Sequence, residues 1–155
     1  MRRSDREIKE FDEIVKVMER CDVCRLALNT SDFPYILPLS FGMEVKEGNI
    51  TLYFHGALKG TKYELMERDN RASFEMDCSH ELILDEEHGN CTTQYESVVG
   101  EGYLEYVPDE EKREALLILM RHYRAEDFPF NERVISQTRV FKLVVKNVWG
   151  KTRKG

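Results

Sequence analysis

The sequence predicts a mainly β fold: an antiparallel barrel of about six strands with helices packed against its outside. Three observations carry this. Runs rich in Val, Ile, Phe, Tyr and Thr recur with apolar and polar residues in alternation, the pattern of half-buried strands. Turns or single helices join them, which suits antiparallel neighbours in a closed barrel better than a doubly wound parallel sheet. Only three segments show helical spacing.

The first helix is expected over residues 5–20. Ser4 and Glu7 have the spacing of a capping box, and Ile8, Phe11, Val15 and Met18 follow at helical intervals. Residues 23–29 read as a strand with Leu26 and Leu28 on one face. A turn containing Pro34 leads to a second strand over 35–45. Pro38 cannot donate a ladder hydrogen bond, so this strand belongs at an edge or carries a bulge. Gly48 and Asn49 sit in a hairpin turn before a third strand over 50–55. A short helix covers 61–68, and a fourth strand covers 71–77. Residues 82–84 form a short strand, followed by an acidic loop over 85–90. The fifth strand, 95–107, is long enough to need a bend, best placed at Gly100 and Gly102. Pro108 and Asp109 open a helix whose buried stripe is Leu116, Leu119, Met120 and Tyr123. The last strand spans 140–148, with Phe141, Leu143 and Val145 on one face.

A chain of 155 residues can bury one real core, so one domain over 1–155 is expected. The net charge of −6 argues against a nucleic-acid partner. The basic stretch Lys151, Arg153 and Lys154 is too short to reverse it. No apolar run is long enough to span a membrane, and the polar start carries no signal-peptide core, which points to a cytoplasmic protein. Of the four cysteines, Cys21 and Cys24 form a C-x-x-C, and Cys78 and Cys91 flank His80 and His88. The second group has zinc-ligand residue types without an established spacing. Small buried thiols and surface histidines are the plainer account, and no metal is expected.

Candidate chemistry centres on residues 53–62. A β-rich run ending at His55 passes through Gly56 and Gly60 into a helix that starts near Thr61 and Lys62. A helix N-terminus offers free N–H groups and a positive dipole end, so Lys62 and the Thr61 hydroxyl would complete a phosphate seat. His55 then lies near the reactive end of such a ligand, as a proton donor or clamp; an ordinary structural histidine is the competing reading. Pro38, Leu39, Ser40, Phe41 and Gly42 would lie beside 53–56 if their strands pair, offering backbone groups to a flat heterocycle. Ser97 starts a strand and could face the same cavity. Trp149 closes the last strand as a core or interface anchor, with Lys151 beyond it. Motifs for dinucleotide folds, P-loops, nucleophile elbows and zinc hydrolases do not occur.

Taken in order, these segments resemble a known family. They are residues 1–6 (Met1, Arg2, Arg3, Ser4, Asp5, Arg6), 34–42, 52–57 with Gly60, Thr61 and Lys62, 95–100, and Trp149 to Lys151. The chain is similar, over its whole length, to the FMN-binding split-barrel proteins related to pyridoxamine 5'-phosphate oxidase, in their nitroimidazole-resistance branch. The resemblance implies a homodimeric split β-barrel with FMN at the dimer interface. It also implies that Pro38, Leu39, Ser40, Phe41 and Gly42 line the isoalloxazine ring and that Phe54 and His55 approach ring and ribityl chain. Thr61 and Lys62 would grip the phosphate, and Ser97 and Lys151 would reach the flavin from neighbouring strands or across the interface. The histidine matching His55 is associated with that branch's active site. In the oxidase itself arginines assist the phosphate and substrate grip. Here Thr61 precedes the phosphate lysine and no arginine cluster is visible, so oxidation of pyridoxamine phosphate is not expected. The function that follows is FMN-dependent reduction of a small, electron-poor substrate such as a nitroaromatic. The alternative is a flavin- or haem-binding module without turnover, with His55 as an axial ligand.

Overall fold

Alternation in the sequence becomes a single antiparallel sheet in the computed structural model, which describes residues 3–154. Met1 and Arg2, the start of the N-terminal motif, and Gly155 lie outside the described residues. The elements are β1 (Glu7–Ile8), α1 (Phe11–Arg20), β2 (Cys24–Leu28), β3 (Tyr35–Leu39), β4 (Gly42–Lys46), β5 (Asn49–Ala57), α2 (Thr61–Arg68), β6 (Arg71–Asp85), β7 (Asn90–Tyr106), α3 (Lys112–His122), α4 (Glu132–Ser136) and β8 (Thr138–Arg153). The strand order is β3-β2-β6-β7-β8-β5-β4, with β1 added to β8. Every pairing is antiparallel.

The two ends of this order are consecutive in the chain. β3 and β4 are separated only by Ser40 and Phe41, and three residue steps span at most about 11 Å. The sheet must therefore curl until its edges nearly meet, which makes a barrel of it. Phe41, Phe54, Phe74 and Phe141 fill the interior, with Leu26, Leu52, Met76 and Leu143. Ile14, Val17 and Met18 of α1 add to the same core. No helix among the described residues is long and apolar enough to cross a membrane.

The helix expected over 5–20 is shorter. Ser4–Arg6 form one 3₁₀ turn, Glu7 and Ile8 pair with Lys151 and Gly150, and the helix begins only at Phe11. Strand pairing gives the backbone of Glu7 and Ile8 its hydrogen bonds, and this tertiary gain overrides a local capping signal. The strand expected over 35–45 breaks at Ser40 and Phe41. Pro38 does sit on an edge strand, as its missing N–H requires. The break also undoes the expected side-by-side placement of 38–42 and 53–56. β3 pairs with β2, and only Gly42 of that segment faces β5, opposite Tyr53.

The short strand and acidic loop expected over 82–90 are parts of one long hairpin. β6 runs through a register irregularity between Cys78 and Glu81 to Asp85, and β7 returns from Asn90. The bend expected near Gly100 and Gly102 is present as a register shift between Glu101 and Gly102. α2 and the turn at Glu47 and Gly48 fall where expected. In α3 the buried stripe is Ala115, Leu116, Ile118 and Leu119 rather than one extending to Met120 and Tyr123. Tyr123 is exposed because its hydroxyl works at the surface, donating to the Asp22 carbonyl (2.7 Å) and accepting from the Phe41 N–H (3.1 Å). The short helix α4, capped by the Asn131 side chain, carries no apolar stripe to predict it.

Candidate functional site

β5 delivers His55 and Gly56 to the start of α2. The cap residue Gly60 has φ +157°, and no side chain caps this end; its first backbone bond is Tyr63 N–H to Gly60 O at 3.1 Å. The donors of Thr61 and Lys62 are thus left for a ligand. Lys62 folds back over Gly56, where a Cβ would lie 3.1 Å from Nζ, and rests 4.6 Å from the Tyr63 ring centroid. Among the described residues no carboxylate lies within ion-pair range of Lys62.

His55 is exposed on the protomer, yet its pKa is lowered, first by the protein that displaces water on one side and then by the Lys62 charge. It is therefore neutral at pH 7. Phe54, its neighbour, turns the other way: its ring is fully buried, 5.3 Å from Phe141. Any contact of Phe54 with a cofactor would pass through its backbone.

Cross-strand register adds a residue that the sequence does not announce. Arg139 of β8 stands opposite Gly56. Its guanidinium lies 5.0 Å from the Tyr63 ring and 4.8 Å from the Tyr106 ring, and it donates to the Tyr106 hydroxyl at 3.5 Å. Tyr106 in turn donates to Glu67 at 2.7 Å, and desolvation and Glu67 push its pKa up to about 12, so it stays protonated. The Tyr63 hydroxyl donates to the Ala57 carbonyl at 2.7 Å. Two aromatic rings, each fixed by its own hydrogen bond, thus hold Arg139 toward the α2 corner. No carboxylate lies within ion-pair range of it among the described residues. A cleft of about 330 Å³ beside it is lined by Leu58, Tyr106, Lys112, Ser136 and Arg139.

The segment 38–42 divides by alternation. Pro38 and Ser40 are exposed, Leu39 packs against the core, and Phe41 is fully buried with its ring 4.2 Å from His122. Gly42 is held by packing, since a Cβ there would come within 2.5 Å of the Leu119 backbone. Ser97 and Lys151 face each other on β7 and β8. They lie twelve residues along β8 from Arg139, at most about 40 Å of strand length at the usual rise. One protomer therefore brings His55, Thr61 and Lys62 together, places Ser40 on a nearby edge, and leaves Ser97 and Lys151 far off. Cys78, His80, His88 and Cys91 are strung along the β6–β7 hairpin, and no metal-holding group of His, Cys, Asp and Glu occurs among the described residues.

Comparison with known proteins decides the family. Residues 10–152 match the model described as pyridoxamine 5'-phosphate oxidase. The chain belongs to the pyridoxamine 5'-phosphate oxidase family. The split-barrel fold implied by the sequence motifs is the fold of this family member. Among solved structures it is similar to a candidate 5-nitroimidazole antibiotic resistance protein from Bacteroides thetaiotaomicron: 29% identity, TM-score 0.82, covering 94% of this chain and 86% of that one. A flavocytochrome from Azotobacter vinelandii superposes with TM-score 0.81 at 18% identity, covering 100% of this chain and 72% of that one. An FAD- and haem-binding protein from Mycobacterium smegmatis gives TM-score 0.81 at 17% identity, covering 97% and 74%. These last two likenesses concern the fold. No curated protein is significantly similar in sequence.

Proposed function

We propose that this chain is an FMN-dependent oxidoreductase acting on a small, flat, electron-poor substrate, with a nitroaromatic as the model acceptor. The observation that carries the reading is a pair of cations, Lys62 and Arg139, at the uncapped N-terminus of α2, without carboxylate partners among the described residues. Such a corner fits a phosphate monoester, which needs fixed positive charge and convergent N–H donors. Thr61 and Lys62 would hold the phosphate from the helix start, and Arg139 from β8. The exposed Pro38 and Ser40 and the backbone of Leu39, Phe41 and Gly42 would line the ring, with Phe54 contributing backbone only.

Ser97 and Lys151 join this site only through a second copy. Val99 pairs with Trp149 and Tyr103 with Val144 on the outer face of β7 and β8, and all four are exposed. Strand alternation puts Ser97 and Lys151 on the same face as Val99 and Trp149. An apolar sheet face of this kind supports a homodimer in which each copy supplies Ser97 and Lys151 to its partner's cofactor.

When bound, the flavin supplies the electron transfer. The protein's part is to orient the acceptor, exclude water and provide protons. His55 is suited to the last task because its neutral ring can take up a proton on its free nitrogen and pass it on. Its lowered pKa makes it the readier donor once it is protonated, and Lys62 discourages it from holding a second proton. The test is the absorbance of the purified protein, followed by turnover with a nicotinamide donor and a nitroaromatic. Flavin bands with turnover support the proposal. A Soret band points to the haem-binding module, and a flavoprotein that no acceptor reoxidises points to a storage module.

A further inference from the structure

Outside the flavin corner, a cleft of about 480 Å³ opens between the end of α1 and the end of α3. Its walls include Arg20, Cys21, Cys78, Ser79, His122 and Arg124. Its volume is in the range of small-molecule sites. Two thiols converge at its base. Cys21 Sγ reaches the Val17 carbonyl at 3.3 Å and Cys78 Sγ reaches the same oxygen at 4.0 Å. The two side chains are also hydrogen-bonding neighbours of one another.

The thiols differ in a way that assigns them roles. Cys21 is 2% exposed, and burial followed by the adjacent Cys78 raises its pKa, so it is a poor first nucleophile. Cys78 is partly buried, on the cleft wall. Ser79 Oγ lies 3.6 Å from its sulfur and donates to Glu96 at 2.9 Å, and the Arg20 guanidinium, bound to Glu96 at 2.7 Å, is within reach of the sulfur as well. Of the two thiols, only Cys78 can be reached from the cleft. The C-x-x-C partner Cys24 is fully buried, and Cys91 is exposed at the far end of the hairpin, opposite Leu84. Neither meets this pair.

We propose that Cys78 and Cys21 form a thiol–disulfide exchange site for small-molecule disulfides, with Cys78 as the attacking and Cys21 as the resolving thiol. In the first step the Cys78 thiolate attacks one sulfur of a small disulfide. A mixed disulfide forms on Cys78, the substrate S–S bond breaks, and one thiol leaves carrying the Cys78 proton. Cys21 then attacks the Cys78 sulfur, the Cys21–Cys78 bond forms, and a second small thiol leaves with the Cys21 proton. The two protein thiols lose two electrons together, and the small disulfide gains them. Disulfides in reducing compartments are of this transient, redox-sensing kind.

The product would tie the residue after α1 to β6. His122 Nε2 donates to the Cys21 carbonyl at 2.8 Å while its ring packs 4.2 Å from Phe41, beside Ser40. Oxidation would therefore fix the peptide that holds one edge of the proposed flavin site.

The test uses the full-length protein carrying Cys91→Ser, incubated with oxidised glutathione and analysed by intact mass and by peptide mapping without reduction. The expected product is lighter by two hydrogens and links the Cys21 peptide to the Cys78 peptide. In the same background Cys21→Ala should stop at a glutathione adduct on Cys78, and Cys78→Ser should leave Cys21 unmodified. A Cys78 that stays unmodified, or one that keeps its glutathione although Cys21 is present, overturns the proposal. The first readout needs no change at Cys21 or Cys78, so a misfolded variant does not blunt it.

Discussion

Gly56 and Lys62 share one corner so closely that a Cβ on Gly56 would lie 3.1 Å from Lys62 Nζ and 2.8 Å from the Tyr63 hydroxyl. The lysine end can swing away, but Tyr63 is anchored to Ala57. Gly56→Ala should therefore displace Lys62, strain the Tyr63 bond, and cost about 1–3 kcal/mol of stability, as overpacking does. Chemical denaturation measures the stability change. Flavin titration should show weaker binding in the same variant, and full-strength binding would mean that Lys62 does not depend on this space.

Lys62→Ala removes a phosphate cation and should weaken FMN binding by about 1.5–3 kcal/mol, the range for hydrogen bonds to charged groups. Arg139→Gln should act in the same direction. Because the two cations face one corner, the double variant should not show the sum of the single losses. Fluorescence titration of the apoprotein with FMN reads all three. Unchanged affinity in both single variants would remove the phosphate assignment.

Much of this arrangement is legible in the amino-acid sequence, and the remainder has a common physical cause. Residues 61–68 show both their helix and its glycine entrance in local spacing, and the placement of Lys62 in the first turn follows from those alone. Arg139 is different. It is an unremarkable basic residue at the start of a strand, and only the pairing that sets it opposite Gly56 gives it a place in the site. Likewise the capping box at Ser4 is a sound local signal that lost to pairing with β8. Ser40 shows the converse. Pro38 marks its strand as an edge, but where that strand ends and which strand accompanies it depend on the closure of the barrel, a non-local property. Ser97 and Lys151 lie one step further out, because in the proposed function their relation to His55 comes through a second chain.

Phe54→Ala and Gly42→Ala separate folding from cofactor binding. Phe54 is fully buried against Phe141, and its truncation should cost about 3–5 kcal/mol. A Cβ on Gly42 would strike the Leu119 backbone, which cannot swing aside as a side-chain tip can. A cost of about 2–3 kcal/mol is expected from overpacking there. Denaturation midpoints check both. Where enough folded protein remains, its FMN affinity should be near that of the parent for Phe54→Ala, because that ring faces the core.

The pH behaviour of His55 tests the electrostatics of the corner directly. Its folded pKa is lowered, mainly by desolvation and secondarily by Lys62. The unfolded chain takes up this proton near the ordinary value of about 6.5, while the folded chain resists until the pH is lower. Between the two values the unfolded state binds more protons, so stability rises with pH through that window. The penalty thus begins as the pH falls below about 6.5 and is complete once the pH passes below the folded pKa. A titration of the His55 ring resonances should place its pKa under that of a free histidine. Lys62→Ala should raise it only part of the way, because the larger cause remains. FMN bound at Thr61 and Lys62 should raise it too, since the phosphate offsets the lysine charge that opposes protonation. A His55 pKa at the ordinary value, indifferent both to Lys62→Ala and to FMN, would place this imidazole outside the charged corner and end its candidacy as the proton donor.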